Sequence, residues 1–203
     1  MENRTVILAA GDFPRKGGAA WKILAGAKRV VACDSAANAF RRRFRRWPDV
    51  IIGDLDSIRL PSSMVPAACS LVRVPEQDTN DLEKAIAYCA SRGWKKPVIL
   101  GATGKREDHS LGNVFRAFTY GLEIVTDRGR FLPICGRVSL PVRKGAAVSV
   151  FAPDPKTRMT STGLEWPLGG VKFRNLHCAT LNRTTATRIV IRSDRPAFVY
   201  LEK

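Results

Sequence analysis

Short apolar runs alternate with amphipathic stretches over roughly the first 126 residues of the chain. This alternation is typical of a parallel β-sheet covered by α-helices. The predicted strands are residues 6–10, 29–33, 50–52, 71–74, 97–100 and 123–126. Two intervening stretches carry apolar residues at the i, i+3, i+4, i+7 spacing of a helix, followed by a glycine stop. They are Leu82, Ala85, Ile86 and Cys89 before Gly93, and Leu111, Val114, Phe115 and Phe118 before Gly121.

From about residue 131 the apolar period changes to two, as in residues 147–151, 188–191 and 198–201. Gly, Pro and Asp turns separate these runs, so the pattern predicts a small all-β domain, a sandwich. The sequence therefore predicts an α/β protein of two domains. Residues 1–127 are expected to form an N-terminal Rossmann-like parallel sheet with flanking helices, and residues 128–203 a C-terminal all-β sandwich.

The composition is that of an ordinary globular protein, since 45% of the 203 residues are hydrophobic and 26% are charged. No apolar run approaches the ~20 residues that a membrane-spanning helix requires, and the N-terminal residues lack the apolar core of a signal peptide. We therefore expect a cytoplasmic protein with no membrane partner. The five cysteines show no CxxC spacing, which favours reduced thiols over a zinc site or a disulfide framework.

The formal net charge of +16 is the abnormal feature of the composition, and it is compatible with an anionic partner. Much of it is local, because five arginines interrupt Phe40, Phe44 and Trp47 at a spacing that predicts a helix with one aromatic and one cationic face. These are Arg41, Arg42, Arg43, Arg45 and Arg46. The run is either a solvated helix face or a binding surface. Since no element that reads nucleic-acid sequence accompanies it, we do not expect nucleic acid as a partner.

An apolar strand runs directly into two carboxylates, Asp54 and Asp56, which are separated by one residue. In an extended chain, residues i and i+2 project to the same side, so these carboxylates can converge on one hard cation. The alternative is a capped turn after a buried strand, since Asp and Gly are ordinary turn residues.

Further acids follow neighbouring predicted strands. Asp34 comes directly after the second predicted strand, and Asp78 and Asp81 come after the fourth. The carboxyl ends of parallel strands share one crevice where ligands bind, and carboxylates collected there repel one another without a cation. For Asp78 or Asn80 the competing role is to cap the helix that follows.

A glycine loop follows the strand predicted at residues 97–100 and precedes a helix. Its sequence is Gly101-Ala102-Thr103-Gly104-Lys105-Arg106-Glu107-Asp108-His109. Backbone N–H groups in such a loop can hold phosphate, and Lys105 and Arg106 would balance its charge. It is not a Walker A loop, which has four residues between its first Gly and the Gly-Lys pair. As an isolated motif it is also compatible with an ordinary glycine turn.

Five motifs, in order along the chain, together resemble the thiamine pyrophosphokinase family. They are CDSAAN, PDVIIGDLDS, EQDTNDLEKAI, GATGKREDHSLGN and TGLEWPL, and the resemblance spans roughly residues 30–182. It implies an enzyme that transfers the terminal pyrophosphoryl group of ATP to the hydroxyl of thiamine, giving thiamine diphosphate and AMP. It also implies a magnesium ion and a homodimer of an α/β nucleotide domain and a β-sandwich domain, with thiamine held between subunits.

The resemblance assigns roles to residues that match the family's motifs. The magnesium-organising and catalytic acids are Asp54, Asp56 and Asp81, with Asp78 as a further catalytic acid. The ATP site is expected to include Asp34, Asn38, Ser57, Gly101, Gly104, Lys105, Arg106, Asp108 and His109. The thiamine site is expected to include Gln77, Trp166, Thr180 and Asn182. Without the family match, Trp166 fits the core of a sandwich equally well.

Two positions depart from the family's pattern. Lys105 stands where a second glycine commonly precedes Arg106, which adds a cation and restricts the backbone. Near the C-terminus the family often has Ser-x-Ser-Asn, whereas this chain has Ala179-Thr180-Leu181-Asn182. The sequence therefore defines the thiamine contacts less well than the metal site.

The expected reaction is attack of the thiamine hydroxyl on the β-phosphorus of ATP, with magnesium on the acidic cluster. Such transfers depend mainly on positioning and electrostatics. The sequence does not identify which acid accepts the hydroxyl proton. Two alternatives stay open: a magnesium-dependent nucleotide phosphohydrolase, which would share Asp54 and Asp56, and a basic nucleic-acid-binding protein on an inactive nucleotide fold.

Overall fold

The structure is a computed structural model that describes residues 4–56 and 65–203. The chain divides into two compact units, Met1–Asp127 and Arg128–Lys203. The elements of the first unit are β1 (Thr5–Leu8), α1 (Ala19–Ala25), β2 (Arg29–Cys33), α2 (Ala36–Phe44), β3 (Val50–Gly53), β4 (Ser70–Arg73), α3 (Asp81–Ser91), β5 (Val98–Leu100), α4 (Glu107–Thr119) and β6 (Ile124–Val125). Those of the second unit are β7 (Gly129–Pro141), β8 (Ala147–Phe151), β9 (Met159–Thr162), β10 (Ala179–Arg183) and β11 (Arg188–Glu202).

The strands of the N-terminal unit form a parallel sheet in the order β6-β5-β1-β2-β3-β4. Every residue of β1 is buried, as expected for a strand that is covered on both faces. Leu24 of α1 and Phe40 of α2 pack with Val6 and Leu8 in the core of this unit. Because the strands are parallel, their carboxyl ends lie along one edge of the sheet.

The predicted strands of this unit are confirmed, since each is present with its ends within two residues of the prediction. The helix predicted around Leu82 and Cys89 is confirmed as α3, which buries the predicted apolar positions. It ends before Gly93, whose φ of +69° is readily adopted by glycine. Local periodicity was sufficient here because the buried face of α3 is entirely apolar apart from Lys84.

The helix α4 is present, but the prediction of its buried face is partly wrong. Leu111 is 59% exposed and Phe115 is 46% exposed, whereas Asn113 and Ala117 are buried. The Asn113 side chain donates to the Ala102 carbonyl at 2.9 Å and accepts from the Asn80 side chain. These bonds direct a polar position of α4 inwards, so the apolar periodicity gave the wrong helix face.

The C-terminal unit is antiparallel. Strand β11 pairs with β7, with β8 and with β9, and β8 also pairs with β10. Buried residues of these strands, including Val148, Val150 and Ile189, form the core of the unit. The fold of the whole chain is thus a mixed α/β fold dominated by β-sheet.

Strand β11 contains both of the runs that the sequence predicted as separate strands, residues 188–191 and 198–201, and that prediction is wrong. The pairing with β7 continues on both sides of a register shift between Ser193 and Ala197. Pro196 has no N–H to donate to the ladder, and a bulge accommodates it without ending the strand. The residues before the bulge pair with β9, and those after it pair with β8.

Within residues 4–56 and 65–203, no helix combines the length and apolar character that crossing a bilayer would require.

Candidate active site

Three carboxylates converge at the carboxyl ends of β2 and β3. Asp34 directly follows β2, and Asp54 and Asp56 follow β3, its parallel neighbour. One carboxylate oxygen from each lies within 4.8 Å of the others. Asp34 is buried, Asp54 is half-buried and Asp56 is exposed, so the cluster opens to solvent on one side. All three donors are hard oxygen ligands, the type that Mg²⁺ and Ca²⁺ take.

The carboxylates of Asp54 and Asp56 meet through a turn, so the prediction of an extended segment is wrong. Leu55 between them has a left-handed φ of +67°. The Asp56 backbone N–H donates to Asp54 Oδ1 at 3.3 Å. This hydrogen bond is the main reason why the pKa of the Asp54 carboxyl lies below its usual value. Both Asp54 and the turn are therefore arranged to keep a negative charge at this edge of the sheet.

Asp81 lies beside the cluster, but its carboxylate is not one of the three that converge. A Cβ added to Gly53 would lie 3.1 Å from Asp81 Oδ1 and 3.0 Å from Asp34 Cβ, so a side chain there would crowd both acids. Burial raises the pKa of the Asp81 carboxyl, and the neighbouring Asp34 carboxylate raises it further. The ammonium of Lys84 lies 3.8 Å from Asp81 Oδ1, and its side chain is only 3% exposed. A buried cation therefore offsets part of the repulsion among these acids.

The segment before α3 contains a helix cap and a hydrogen-bonded turn. Asn80 Oδ1 accepts from the Glu83 backbone N–H at 3.0 Å, so capping is confirmed as a role of Asn80. Asp78 is exposed, and its backbone N–H donates to the Glu76 carboxylate at 2.8 Å. Gln77 is exposed, and its side chain hydrogen-bonds to Asp54. This segment therefore brings Gln77, rather than Asp78, to the carboxylate cluster.

Two further residues predicted for the ATP site belong to the segments that follow β2 and β3. Asn38 is half-buried in the first turn of α2, four residues after Asp34. Ser57 lies outside the described residues.

The glycine loop after β5 packs against the segment that follows β1. The Gly11 N–H donates to the Gly101 carbonyl at 2.7 Å, and the Asp12 N–H donates to the Thr103 carbonyl at 2.8 Å. Gly101 and Gly104 have left-handed φ values of +65° and +85°. A Cβ at Gly104 would overlap the Asp12 carboxylate. Glycine is therefore required in this loop both for its backbone conformation and for the close approach of Asp12.

The charged residues of the loop are largely bonded to one another or to the backbone. Lys105 has a φ of +59°, and its ammonium donates to the Ala10 carbonyl at 2.6 Å. The Arg106 guanidinium binds Asp108 through two hydrogen bonds of 2.6 and 3.1 Å. That contact lowers the pKa of the Asp108 carboxyl to about 2. His109 is exposed in the first turn of α4, so the loop ends at an accessible helix N-terminus.

Three residues beside this site were not among the predicted site residues. Asp12 follows a strand and a glycine, the same signal that identified Asp54. Asn113 joins the glycine loop to the start of α3 by bonding Ala102 and Asn80. Lys84 has no signal in the sequence, because a lysine in a helix is usually at the surface.

In the C-terminal unit, the side chain of Asn182 is hydrogen-bonded to the backbone of Trp166. The Trp166 N–H donates to Asn182 Oδ1 at 3.2 Å, and Asn182 Nδ2 donates to the Trp166 carbonyl at 2.7 Å. Asn182 is 3% exposed, whereas Trp166 is 55% exposed, which excludes the sandwich core as the place of Trp166. Thr180 donates its hydroxyl to the His177 carbonyl at 3.0 Å.

Comparison with known families covers nearly the whole chain. The profile "Thiamin pyrophosphokinase, catalytic domain" matches residues 20–125, and the profile "Thiamin pyrophosphokinase, substrate-binding domain" matches residues 129–200. A thiamin pyrophosphokinase of Caenorhabditis elegans is 34% identical over 96 residues, which are 43% of this chain and 39% of the relative. A thiamine pyrophosphokinase of Arabidopsis thaliana is 28% identical over 179 residues, which are 78% of this chain and 66% of the relative.

The chain thus spans less than two thirds of the length of these curated relatives. Among solved structures, a thiamin pyrophosphokinase family protein from Enterococcus faecalis shares the fold, with a TM-score of 0.80 at 17% identity, and the match covers 98% of this chain and 99% of that one. The catalytic-domain profile alone matches more than half of the sequence. On these grounds the chain belongs to the thiamine pyrophosphokinase family.

Proposed function

We propose that this protein is a thiamine pyrophosphokinase that transfers the pyrophosphoryl group of ATP to the thiamine hydroxyl, giving thiamine diphosphate and AMP. The observation that carries the proposal is the convergence of Asp34, Asp54 and Asp56 within 4.8 Å, in a chain of this family. Transfer of a pyrophosphoryl group from ATP to a hydroxyl needs such a site, because its main requirement is to hold and neutralise phosphate oxygens.

The two units take different roles in this proposal. The N-terminal unit is a Rossmann-like nucleotide domain, supported by its parallel sheet and by ligand residues at the carboxyl ends of strands. The C-terminal unit is a β-sandwich that binds thiamine and takes part in a homodimer, as the family implies. The cytoplasmic location stays a prediction from the sequence.

The carboxylate cluster suits a magnesium ion. Asp34, Asp54 and Asp56 would hold it, since their converging oxygens are all carboxylate donors. Bound there, Mg²⁺ would supply positive charge to the phosphate oxygens of ATP. Asp81 and the buried Lys84 lie beside the cluster and form an ion pair of 3.8 Å, so they contribute to the charge next to the proposed metal site.

The glycine loop is the proposed phosphate-binding element for ATP. Gly101 and Gly104 shape it, and the N-terminus of α4, whose dipole favours an anion, directly follows it. Arg106 makes an exposed pair with Asp108, and an exposed pair of this kind is weak because solvent screens it. Arg106 can therefore exchange Asp108 for a phosphate oxygen at small cost.

Trp166 and Gln77 are proposed as thiamine contacts. The exposed indole of Trp166 is available to the thiazolium cation, a contact worth roughly 0.5–2 kcal/mol. Asn182 holds the Trp166 backbone with two hydrogen bonds, so we assign it to positioning the indole. Gln77 is bonded to Asp54, which would place a thiamine contact beside the proposed metal ligand.

The test is an assay for AMP formed from ATP and Mg²⁺, with and without thiamine, for the wild type and for Asp54→Asn and Asp56→Asn. We expect AMP to depend on thiamine and to fall on the order of 100- to 1000-fold in each variant. Glu202→Gln removes one exposed carboxylate at the end of β11 and is the matched control. AMP formation without thiamine would instead indicate hydrolysis, and full activity in both aspartate variants would refute the role of the cluster.

A further inference from the structure

The five arginines of residues 41–46 form an exposed surface that rests on aromatic rings. We call Arg41, Arg42, Arg43, Arg45 and Arg46 the arginine surface, and all five are exposed. The guanidinium of Arg41 lies over Trp47 at 5.0 Å, that of Arg43 over Phe13 at 5.1 Å, and that of Arg46 over Phe40 at 5.0 Å. The predicted helix with one aromatic and one cationic face is confirmed for α2, in which Phe40 is buried and Arg41, Arg42 and Arg43 are exposed. The helix ends at Phe44, so Arg45, Arg46 and Trp47 lie beyond it.

The rings below the arginine surface pack against one another. Phe40 stacks on Phe44 with centroids 4.8 Å apart, and Phe44 stacks on Trp21 at 4.6 Å. Phe40 is fully buried, and Phe44 and Trp47 are half-buried. Contact with a packed ring restricts the motion of a guanidinium, which reduces the entropy lost when the group binds a ligand.

The charge of the arginine surface is not offset by the protein. In the described part of the chain, no carboxylate lies within 4.0 Å of any of these five guanidinium groups, although Arg4, Arg15, Arg106, Arg116 and Arg195 all form such pairs. A surface with five adjacent cations in a protein of net charge +16 attracts polyanions and releases their counterions.

We propose that the arginine surface binds single-stranded nucleic acid without sequence preference, an activity separate from pyrophosphoryl transfer. Three of the guanidinium groups each lie over an aromatic ring, and all three are exposed to solvent, where a base can stack on them. Among the described residues no aromatic ring lies under Arg42 or Arg45, so these two side chains are left to contact phosphates. Binding of this kind needs a charged track and stacking platforms, not an element that reads base edges, so the absence of such an element does not argue against it.

An anionic membrane is the less suitable partner for the same surface. Interfacial helices bind by inserting an apolar face into the lipid. Here the apolar side chains of α2 are directed into the protein, since Ala36, Ala37 and Phe40 are buried. What the surface exposes is charge and guanidinium planes, which match phosphates and bases.

The test is fluorescence anisotropy with a labelled oligothymidylate of about 12 nucleotides, measured between about 50 and 300 mM KCl. We expect binding whose log affinity falls with log salt. Arg42→Gln/Arg45→Gln removes two phosphate contacts, so the slope should fall by about 1.4 and the affinity by about 20-fold at 100 mM salt. The matched control is Arg137→Gln/Arg192→Gln, which removes two exposed arginines that face each other on β7 and β11.

A second variant separates stacking from charge. Arg41→Lys/Arg43→Lys/Arg46→Lys keeps all charges but loses the planar groups, so we expect at least a fivefold loss of affinity at an unchanged salt slope. Circular dichroism spectra identical to the wild type show that the variants fold.

Four results would overturn the proposal. They are no binding of the oligonucleotide by the wild type, an equal loss in the Arg137/Arg192 control, binding only to phosphatidylserine vesicles, and a fall in kcat/KM for ATP without oligonucleotide binding. The last two assign the surface to membranes or to ATP capture. Thiamine-dependent AMP formation by the Arg42/Arg45 variant is expected to be unchanged, so failure of this proposal is distinguishable from failure of the proposed function.

Discussion

At the scale of single residues, left-handed backbone conformations occur at several positions in or beside the candidate site residues. Non-glycine residues with positive φ include Asp34 (35°), Leu55 (67°), Lys105 (59°) and Leu181 (64°). Each costs on the order of 1–2 kcal/mol relative to a relaxed backbone, so the surrounding contacts must hold it. Periodicity describes regular elements and carries no information about such positions, so the sequence could give the turn at Leu55 only as an alternative to an extended segment.

The strain at Lys105 can be measured with two substitutions. Lys105→Ala removes the hydrogen bond to the Ala10 carbonyl but keeps a side chain at a φ of +59°, whereas Lys105→Gly removes both. We expect the Gly variant to be more stable than the Ala variant by about 0.5–1 kcal/mol in urea unfolding, after allowing for the larger unfolded-state entropy of glycine. An Ala variant at least as stable as the Gly variant would show that the backbone there is relaxed.

Asn182 offers a test of how Trp166 is held. Asn182→Ala leaves the Trp166 N–H and carbonyl without their side-chain partner at a buried position, so we expect a loss of about 1–3 kcal/mol in unfolding free energy. If Trp166 contacts thiamine, KM for thiamine should also rise about tenfold while KM for ATP stays unchanged. Thr180→Ala, which removes only a hydroxyl bonded to the His177 carbonyl, is the control. An unchanged KM for thiamine would mean that Asn182 acts on stability alone.

At the scale of elements, prediction succeeded where burial is decided within one segment. Residues 29–33 were predicted from a continuous apolar run, and β2 has the same bounds. Prediction failed where a distant partner decides. Asn113 turns α4 because it bonds Ala102 and Asn80, and β11 continues past Pro196 because β7 pairs with it on both sides. Neither partner can be read from the segment itself.

The contact between α3 and α4 makes stability depend on pH. Glu83 accepts from the Tyr120 hydroxyl at 2.7 Å and from Arg116 at 3.1 Å. The Tyr120 bond, and then the Arg116 bond, hold the pKa of Glu83 below its ordinary value of 4.5. A lowered folded-state pKa stabilises the fold above pH 4.5, and the contribution is lost as the pH falls through the folded-state value.

We therefore expect Glu83→Gln to lower the unfolding free energy by roughly 0.5–1 kcal/mol at pH 7 and by less at pH 3, where more of the Glu83 carboxyl is protonated. Urea unfolding at both pH values measures this difference. Tyr120→Phe and the double variant complete a cycle that isolates the Glu83–Tyr120 coupling. A loss of the same size at pH 3 would show that shape, rather than charge, is responsible.

At the scale of the whole molecule, the sequence predicted which acids lie near the site but not how they are arranged. Strand order could not be read from periodicity, yet the pairing of β2 with β3 is what brings Asp34 to Asp54 and Asp56. Motif order identified the family, and acids at the ends of parallel strands indicated one crevice. That Asp34 lies within the cluster, and Asp81 behind it, follows only from the register and from the space at Gly53.

The stability of the whole chain should report on the metal. If Asp34, Asp54 and Asp56 bind Mg²⁺ in the folded state only, a concentration 100 times Kd adds about 2.7 kcal/mol to the unfolding free energy. For a chain of this size that corresponds to a rise in Tm of about 5–10 °C, which EDTA should reverse. Calorimetry at constant ionic strength measures the shift, with KCl replacing MgCl₂ in the reference.

The informative comparison is with Asp54→Asn/Asp56→Asn. Removing two of three converging carboxylates relieves repulsion, so this variant is expected to be at least as stable as the wild type without metal. Its Tm should nevertheless not respond to Mg²⁺, because a single remaining carboxylate cannot hold the ion against its hydration shell. The Mg²⁺-induced difference, rather than Tm itself, therefore identifies the site. An equal Mg²⁺ response in the variant would place the ion elsewhere and remove the physical basis of the proposed transfer.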